Sequence, residues 1–123
     1  MAQQQEIAEV SKAKGKYFRV SPQKARLVID LIRGRSVTQA LGLLKVTPKR
    51  ACRHVEKVLK SAIANAKEKQ PTLDVDRLYV HRAYVDSGPT KMWKRIRPTS
   101  MLKVIRLVHR HAHITIHLAE KKN

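Results

Sequence analysis

The sequence predicts an α+β fold: three helices packed on a small antiparallel three-stranded sheet, with a long β-hairpin protruding from it. Three observations carry this expectation. Between residues 21 and 70, apolar residues recur at helical spacing in three segments, each opened by a capping signal. From residue 77 onward the period falls to two, and β-branched and aromatic residues take over. Between these last two arms lies a proline-bounded middle too basic for any core. Residues 77–117 hold nine Lys or Arg against one acid, Asp86, with five of the six His, the single Trp and two of three Tyr. Burying nine cations costs far more than packing returns, so this stretch reads as a ribbon built to lie against a polyanion.

In chain order, residues 1–15 are polar and lack a strong period, the pattern of a flexible tail. A single domain follows over 16–120, and 121–123 form a short C-terminal tail. Lys16-Tyr17-Phe18-Arg19-Val20 is a short strand candidate. Ser21-Pro22 then sets an N-cap before a proline at the first helical position. Ala25, Val28, Ile29 and Ile32 mark one face, and Gly34 ends that helix. Ser36 with Gln39 forms a capping box ahead of Val37, Ala40, Leu41 and Leu44. Thr47-Pro48 repeats the cap-plus-proline start. The third helix is the longest, with Ala51, Val55, Val58, Leu59, Ala62, Ile63 and Ala66 on one side. Lys49, Arg50, Arg53, Lys57 and Lys60 lie on the other, and Pro71 closes it.

Short helices cannot bury these stripes on one another alone. They cover one face of a sheet made from residues 17–20 and the bases of the two long arms. Val108, Arg110, Ala112, Ile114, Ile116 and Leu118 share a face on the returning arm. The hairpin, at about 82–110, has no helix left to cover it and must project ~30–35 Å. An isolated two-stranded ribbon is marginal in water, so its order is expected to depend on a partner.

Charge names the partner class. The 123 residues carry a formal +18, from 27 Lys plus Arg against 9 Asp plus Glu. A chain this short repels itself at such a charge unless phosphates neutralise it, which points to nucleic acid. A membrane is disfavoured, since no apolar run approaches ~20 residues. The N-terminus lacks the basic-then-apolar order of a signal peptide, and Cys52 alone suits a reducing compartment, so a cytosolic location is expected. Scattered acids and the lack of a Gly-rich loop give no catalytic residues and no cofactor site. His109, His111, His113 and His117 alternate along one strand face, but imidazoles without a Cys or acid nearby make a poor zinc set. A polar strand face is the better account, so no metal is expected. Among binding proteins, a DNA-architectural protein with a basic β-arm is the alternative. Such proteins usually dimerise through apolar surface, whereas here each helix stripe is needed for the monomer's own core, so no homo-oligomer is expected.

Several motifs then agree in order. Ser21-Pro22-Gln23-Lys24-Ala25-Arg26-Leu27-Val28, Ser61-Ala62-Ile63-Ala64-Asn65-Ala66, Leu73-Asp74-Val75-Asp76 and His113-Ile114-Thr115-Ile116 closely resemble the bacterial-type large-subunit ribosomal protein twenty-two family. The resemblance runs from about residue 14 to 120. It implies a non-enzymatic constituent of the large ribosomal subunit that binds ribosomal RNA and supports subunit assembly and translation. It also implies a globular domain on the subunit surface and a β-hairpin threading through RNA to line the nascent-peptide exit tunnel. Neighbouring large-subunit proteins and the nascent polypeptide are the other implied partners. Candidate RNA contacts are Arg19, Lys24, Lys49, Arg53, Arg82, Lys91, Lys94, Arg95, Arg97, Lys103, Arg106, Arg110 and His113, with Trp93 to stack on a base or pack on a sugar. The hairpin tip departs from the family: Thr99-Ser100-Met101-Leu102-Lys103-Val104 stands where a basic, Gly- and Ala-rich run is usual.

Overall fold

The computed structural model describes residues 9–90 and 94–121. The chain forms β1 (Glu9–Phe18), α1 (Pro22–Ile32), α2 (Val37–Val46), α3 (Ala51–Lys69), β2 (Leu78–Ser87), β3 (Lys94–Pro98), β4 (Val104–Val108) and β5 (Ala112–Glu120). One antiparallel sheet has the order β1-β5-β2, and β3 and β4 pair separately as a two-stranded ribbon. A single 3-10 turn at Val75–Arg77, with Asp74 Oδ1 accepting from the Asp76 amide at 3.0 Å, leads into β2.

The helix stripes are the core. Ala25, Val28, Ile29, Ile32, Val55, Leu59, Ala62 and Ala66 are fully buried, opposite Ala112, Ile114, Ile116 and Leu118 of the central strand. All three helices thus cover one face of the sheet, with α3 over β1 and β5 and α1 over β2. The sheet's edges are also closed on the helix side. Arg33 Nε and Nη2 donate to the Ala83 carbonyl (3.2 and 2.9 Å), Arg26 Nη2 donates to Val85 O (3.1 Å), and the Gly34 amide donates to Val80 O (2.9 Å). At the other edge Asn65 Nδ2 donates to Lys12 O (3.0 Å), and Ser11 Oγ donates to Ala62 O (2.8 Å). Edge groups that would template another strand are therefore occupied.

Four expectations need correction. The first strand is Glu9–Phe18 rather than a short one near 17–20, so the segment assigned to a tail up to residue 15 contributes a sheet edge. Its buried positions are Ser11 and Ala13, too small to mark a strand by hydrophobic alternation, while Val10 and Phe18 pack only partly buried against the core; pairing with β5 supplies what the side chains do not. Thr47 ends α2 instead of starting α3: its amide and its Oγ1 both donate to Leu43 O, at 3.0 and 2.7 Å. The third helix begins at Ala51. Finally, the returning arm is interrupted. Residues 109–111 separate β4 from β5, so Val108 and Arg110 leave the face of Ala112 and Ile114 and are exposed. At this pinch the Gly88 amide donates to His111 O (2.8 Å), and a Cβ on residue 88 would stand 2.9 Å from His111 Cβ. The close approach requires glycine.

Candidate nucleic-acid interface

Two basic surfaces meet at that pinch. The first is the ribbon. Its register pairs Arg95 with Leu107, Ile96 with Arg106 and Arg97 with Ile105, so each of these rungs joins one cation to one aliphatic residue. Facing residues in an antiparallel pair share a side. One side of the ribbon is thus divided lengthwise, with Arg95 and Arg97 along β3 and Ile105 and Leu107 along β4. These residues are exposed, Ile96 to 72%. Among the described residues, the ribbon has no core of its own and touches the body mainly at its base. Lys94 opens β3 opposite Val108. Lys91 and Trp93 lie outside the described residues.

The tip closes without glycine. Thr99 donates from its amide and its Oγ1 to Lys103 O, both at 2.8 Å. Met101 (φ 64°) and Leu102 (φ 58°) occupy the left-handed region, at about 1–2 kcal/mol each for residues with a Cβ. Their side chains are almost wholly exposed.

The second surface is a belt on the body. Arg19, Arg50 and Arg110 line a cleft of about 510 Å³ between the start of α1 and the hairpin base, together with His109 and His111. Arg50 also lines an adjoining cleft of about 580 Å³ with Lys45, Lys49 and Arg53. The acid lining this second cleft, Glu56, is bonded to Lys60 Nζ at 3.1 Å. His54 reports the local field: burial, then the charges of Arg50 and Lys57, hold its pKa below the ordinary histidine value. Its ring lies 4.9 Å from that of Phe18. The belt is therefore cationic and continuous with the base of the ribbon.

Of the candidates read from sequence, Arg19, Lys49, Arg53 and Arg110 come together in the belt, and Arg95, Arg97, Lys103 and Arg106 are exposed along the ribbon. Lys24 is exposed on α1 and Arg82 on β2, outside both groups. His113 is half-buried and structurally engaged: its Nδ1 accepts from the Tyr17 amide at 3.0 Å, with the Tyr17 ring edge-on at 4.9 Å. Two belt residues were not among the candidates. Arg50 stood on the basic helix face by spacing alone, while Lys45 belongs to the end of another helix, and no periodic signal joins it to α3. Among the described residues no three His, Cys, Asp or Glu side chains gather as a metal set, and no helix is long and apolar enough to cross a membrane.

The family described as Ribosomal protein L22p/L17e matches residues 13–119. A protein of Solibacter usitatus named large ribosomal subunit protein uL22 is 52% identical over 111 residues, covering 90% of this chain and 96% of its own. Proteins of the same name from Halothermothrix orenii and Carboxydothermus hydrogenoformans are 54% and 51% identical over 112 residues, each covering 91% of this chain and 96% of their own.

Proposed function

The chain belongs to the ribosomal protein L22p/L17e family, and from that premise we propose that it binds large-subunit ribosomal RNA through the belt and the ribbon together. It is a structural protein of the large ribosomal subunit, not an enzyme, and that subunit is cytoplasmic in bacteria. The body sits at the subunit surface. The ribbon runs inward between RNA segments to the wall of the peptide exit tunnel, its tip reaching the nascent polypeptide, and neighbouring large-subunit proteins flank the body.

The observation that carries the RNA reading is the ribbon's rung pattern. A cation at each of the rungs Arg95/Leu107, Ile96/Arg106 and Arg97/Ile105, with no core beneath, leaves the ribbon charged along its length. Inserted between phosphate backbones, such a ribbon neutralises both sides and releases condensed counterions. The aliphatic partner in each rung packs on sugars or bases, where water is excluded. Order in the ribbon and order in the RNA then arise together, because neither surface is complete alone.

The DNA-architectural alternative needs an apolar surface for pairing two copies. The helix stripes that could supply one are buried in this monomer's core, with Leu59, Val55 and Ala62 fully covered. To test the ribosomal RNA reading, a tagged full chain is expressed in bacteria and lysates are sedimented after a high-salt wash. The tagged chain is expected with the large subunit. Recovery at the top of the gradient, or on chromosomal DNA, would contradict the reading.

A further inference from the structure

The sheet has a second face that none of the described helices covers. Antiparallel register places Lys12, His117 and Arg82 side by side in one row, and Lys14, Thr115 and Tyr84 in the next. The opposite positions of the same strands, Ala13, Ile116 and Ala83, face the helices. This uncovered face is neither the ribbon nor the belt.

Its floor is unusual. Thr115 is 3% exposed and His117 9%, yet Thr115 Oγ1 and His117 Nε2 are buried with no hydrogen-bond partner. Buried polar atoms nearly always have partners, since an unmet one costs the full loss of its hydration. The other ring nitrogen of His117, Nδ1, lies 3.0 Å from Glu9 Oε2. An ionised carboxylate only accepts, so Nδ1 carries a proton. That bond is the main cause holding the Glu9 carboxyl below its ordinary pKa. In the neutral ring Nε2 is then left as an acceptor, and the Thr115 hydroxyl, one rung along the same strand face, can give or take.

A cleft of about 400 Å³ lies at this part of the sheet, lined by Lys12, Ala13, Lys14, Tyr84, Thr115 and His117 and, from α3, by Ser61 and Asn65. Tyr84 is 37% exposed, and its ring sits 6.0 Å from that of His117. Arg82 adds a third cation in the His117 row. Among the described residues, two acids belong to the same face: Glu9, which is occupied with His117, and Asp86, which stands one row beyond Thr115 opposite His113.

We infer that this face is a binding site for one unpaired ribonucleotide of ribosomal RNA. The inference rests on the RNA-binding reading above and adds to it a site, a nucleotide state and a basis for choosing RNA over DNA. A ribose 2′-hydroxyl is both donor and acceptor, so it is matched to His117 Nε2 and to Thr115 Oγ1, which it reaches once the side chains covering these buried atoms move aside. The flanking phosphates meet Lys12, Lys14 and Arg82. The base lies on the exposed ring of Tyr84, which a base locked in a duplex cannot reach. A 2′-deoxynucleotide would leave both floor atoms unmet.

The test uses the full chain and three variants: Tyr84→Leu, Lys12→Gln with Lys14→Gln, and Thr115→Val, which removes the hydroxyl while keeping the shape. The probes are protein-free large-subunit ribosomal RNA and an unstructured twelve-residue single strand made as RNA and as DNA. Melting curves confirm that each variant is folded. Tyr84→Leu is expected to weaken RNA binding roughly tenfold, within the range of one lost stacking contact. The double lysine variant lowers the salt slope by about 1.5 units. Thr115→Val reduces the preference for the RNA strand over the DNA strand while leaving DNA binding unchanged. If all three variants bind as the wild type does, while removal of residues 88–103 weakens binding, the site is overturned and the ribbon reading stands. If the wild type itself does not bind the ribosomal RNA, both fall. If the variants bind naked RNA normally but fail to enter large subunits, the face belongs to a protein neighbour and the ribonucleotide site is overturned.

Discussion

The body and the ribbon are made from the same strand residues, yet they obey opposite rules. In β5, Ile114 and Ile116 are fully buried and the strand contains no Lys or Arg. In the ribbon, Ile96 and Ile105 are exposed, and each stands across a rung from an arginine. In the body, aliphatic groups leave water by packing on helices, and even the sheet's edge carbonyls are covered by Arg26, Arg33 and Asn65. In the ribbon none of the described residues covers them. Period-two alternation announces a strand in both places; cations on successive rungs, and so on both faces, mark the ribbon as the pair without a core.

The contrast can be broken most severely in the core. Leu59→Ala is expected to destabilise the body by about 2–5 kcal/mol, because a fully buried leucine leaves a cavity in a small domain. Ile96→Ala, the same kind of truncation on the ribbon, should change the unfolding free energy from denaturant titration by less than about 0.5 kcal/mol. Equal effects would mean that the ribbon is packed in the free protein.

A smaller effect separates the two regions by pH. His54 has its pKa held down by burial and by Arg50 and Lys57, so the unfolded chain binds its proton more readily than the folded one. Stability from this group is complete above the ordinary histidine range and is lost as pH falls through the lower folded value. Glu9 acts in the same direction in a more acidic window: its folded pKa is lowered, chiefly by the bond to His117, so its contribution is present above the ordinary carboxylate range and fades below it. Melting temperature should therefore decline in two separable stages on acidification, and His54→Gln should remove the first. Amide exchange in the ribbon, corrected for intrinsic rates, should show neither stage.

The smallest expected effect lies at the tip. Leu102 holds a left-handed conformation that glycine adopts freely. Leu102→Gly should favour the closed turn by about 1 kcal/mol, read as slower amide exchange in β3 and β4, with no change in the melting of the body. Faster exchange would mean that the leucine side chain itself holds the turn.

Much of this was legible from the residues. The stripes of α1 and α3 were readable because bulky aliphatics recur at helical spacing, and the ribbon because cations interrupt its alternation. The family motifs added the order of elements over most of the chain. What escaped was encoded in contacts rather than in pattern. Ser11 and Ala13 carry too little apolar area to announce β1. Thr47-Pro48 looks like a helix start, but the threonine is claimed by the end of α2. The pinch at Gly88 and His111 depends on two residues 23 positions apart, and the belt joins Arg19, Arg50 and Arg110 from three separate elements. Spacing along the chain carries no record of such meetings.

The central claim is that the ribbon touches phosphate while the body holds the fold. Removing residues 88–103 takes away Lys91, Lys94, Arg95, Arg97 and Lys103 but leaves β2, β5 and the belt. Binding of the intact and shortened chains to large-subunit ribosomal RNA is measured across a salt series. The account predicts that the shortened chain remains folded and still binds, with the slope of log affinity against log salt reduced by about 3 to 4.5 units. An unchanged slope would show that the ribbon does not meet phosphate, and would contradict the account.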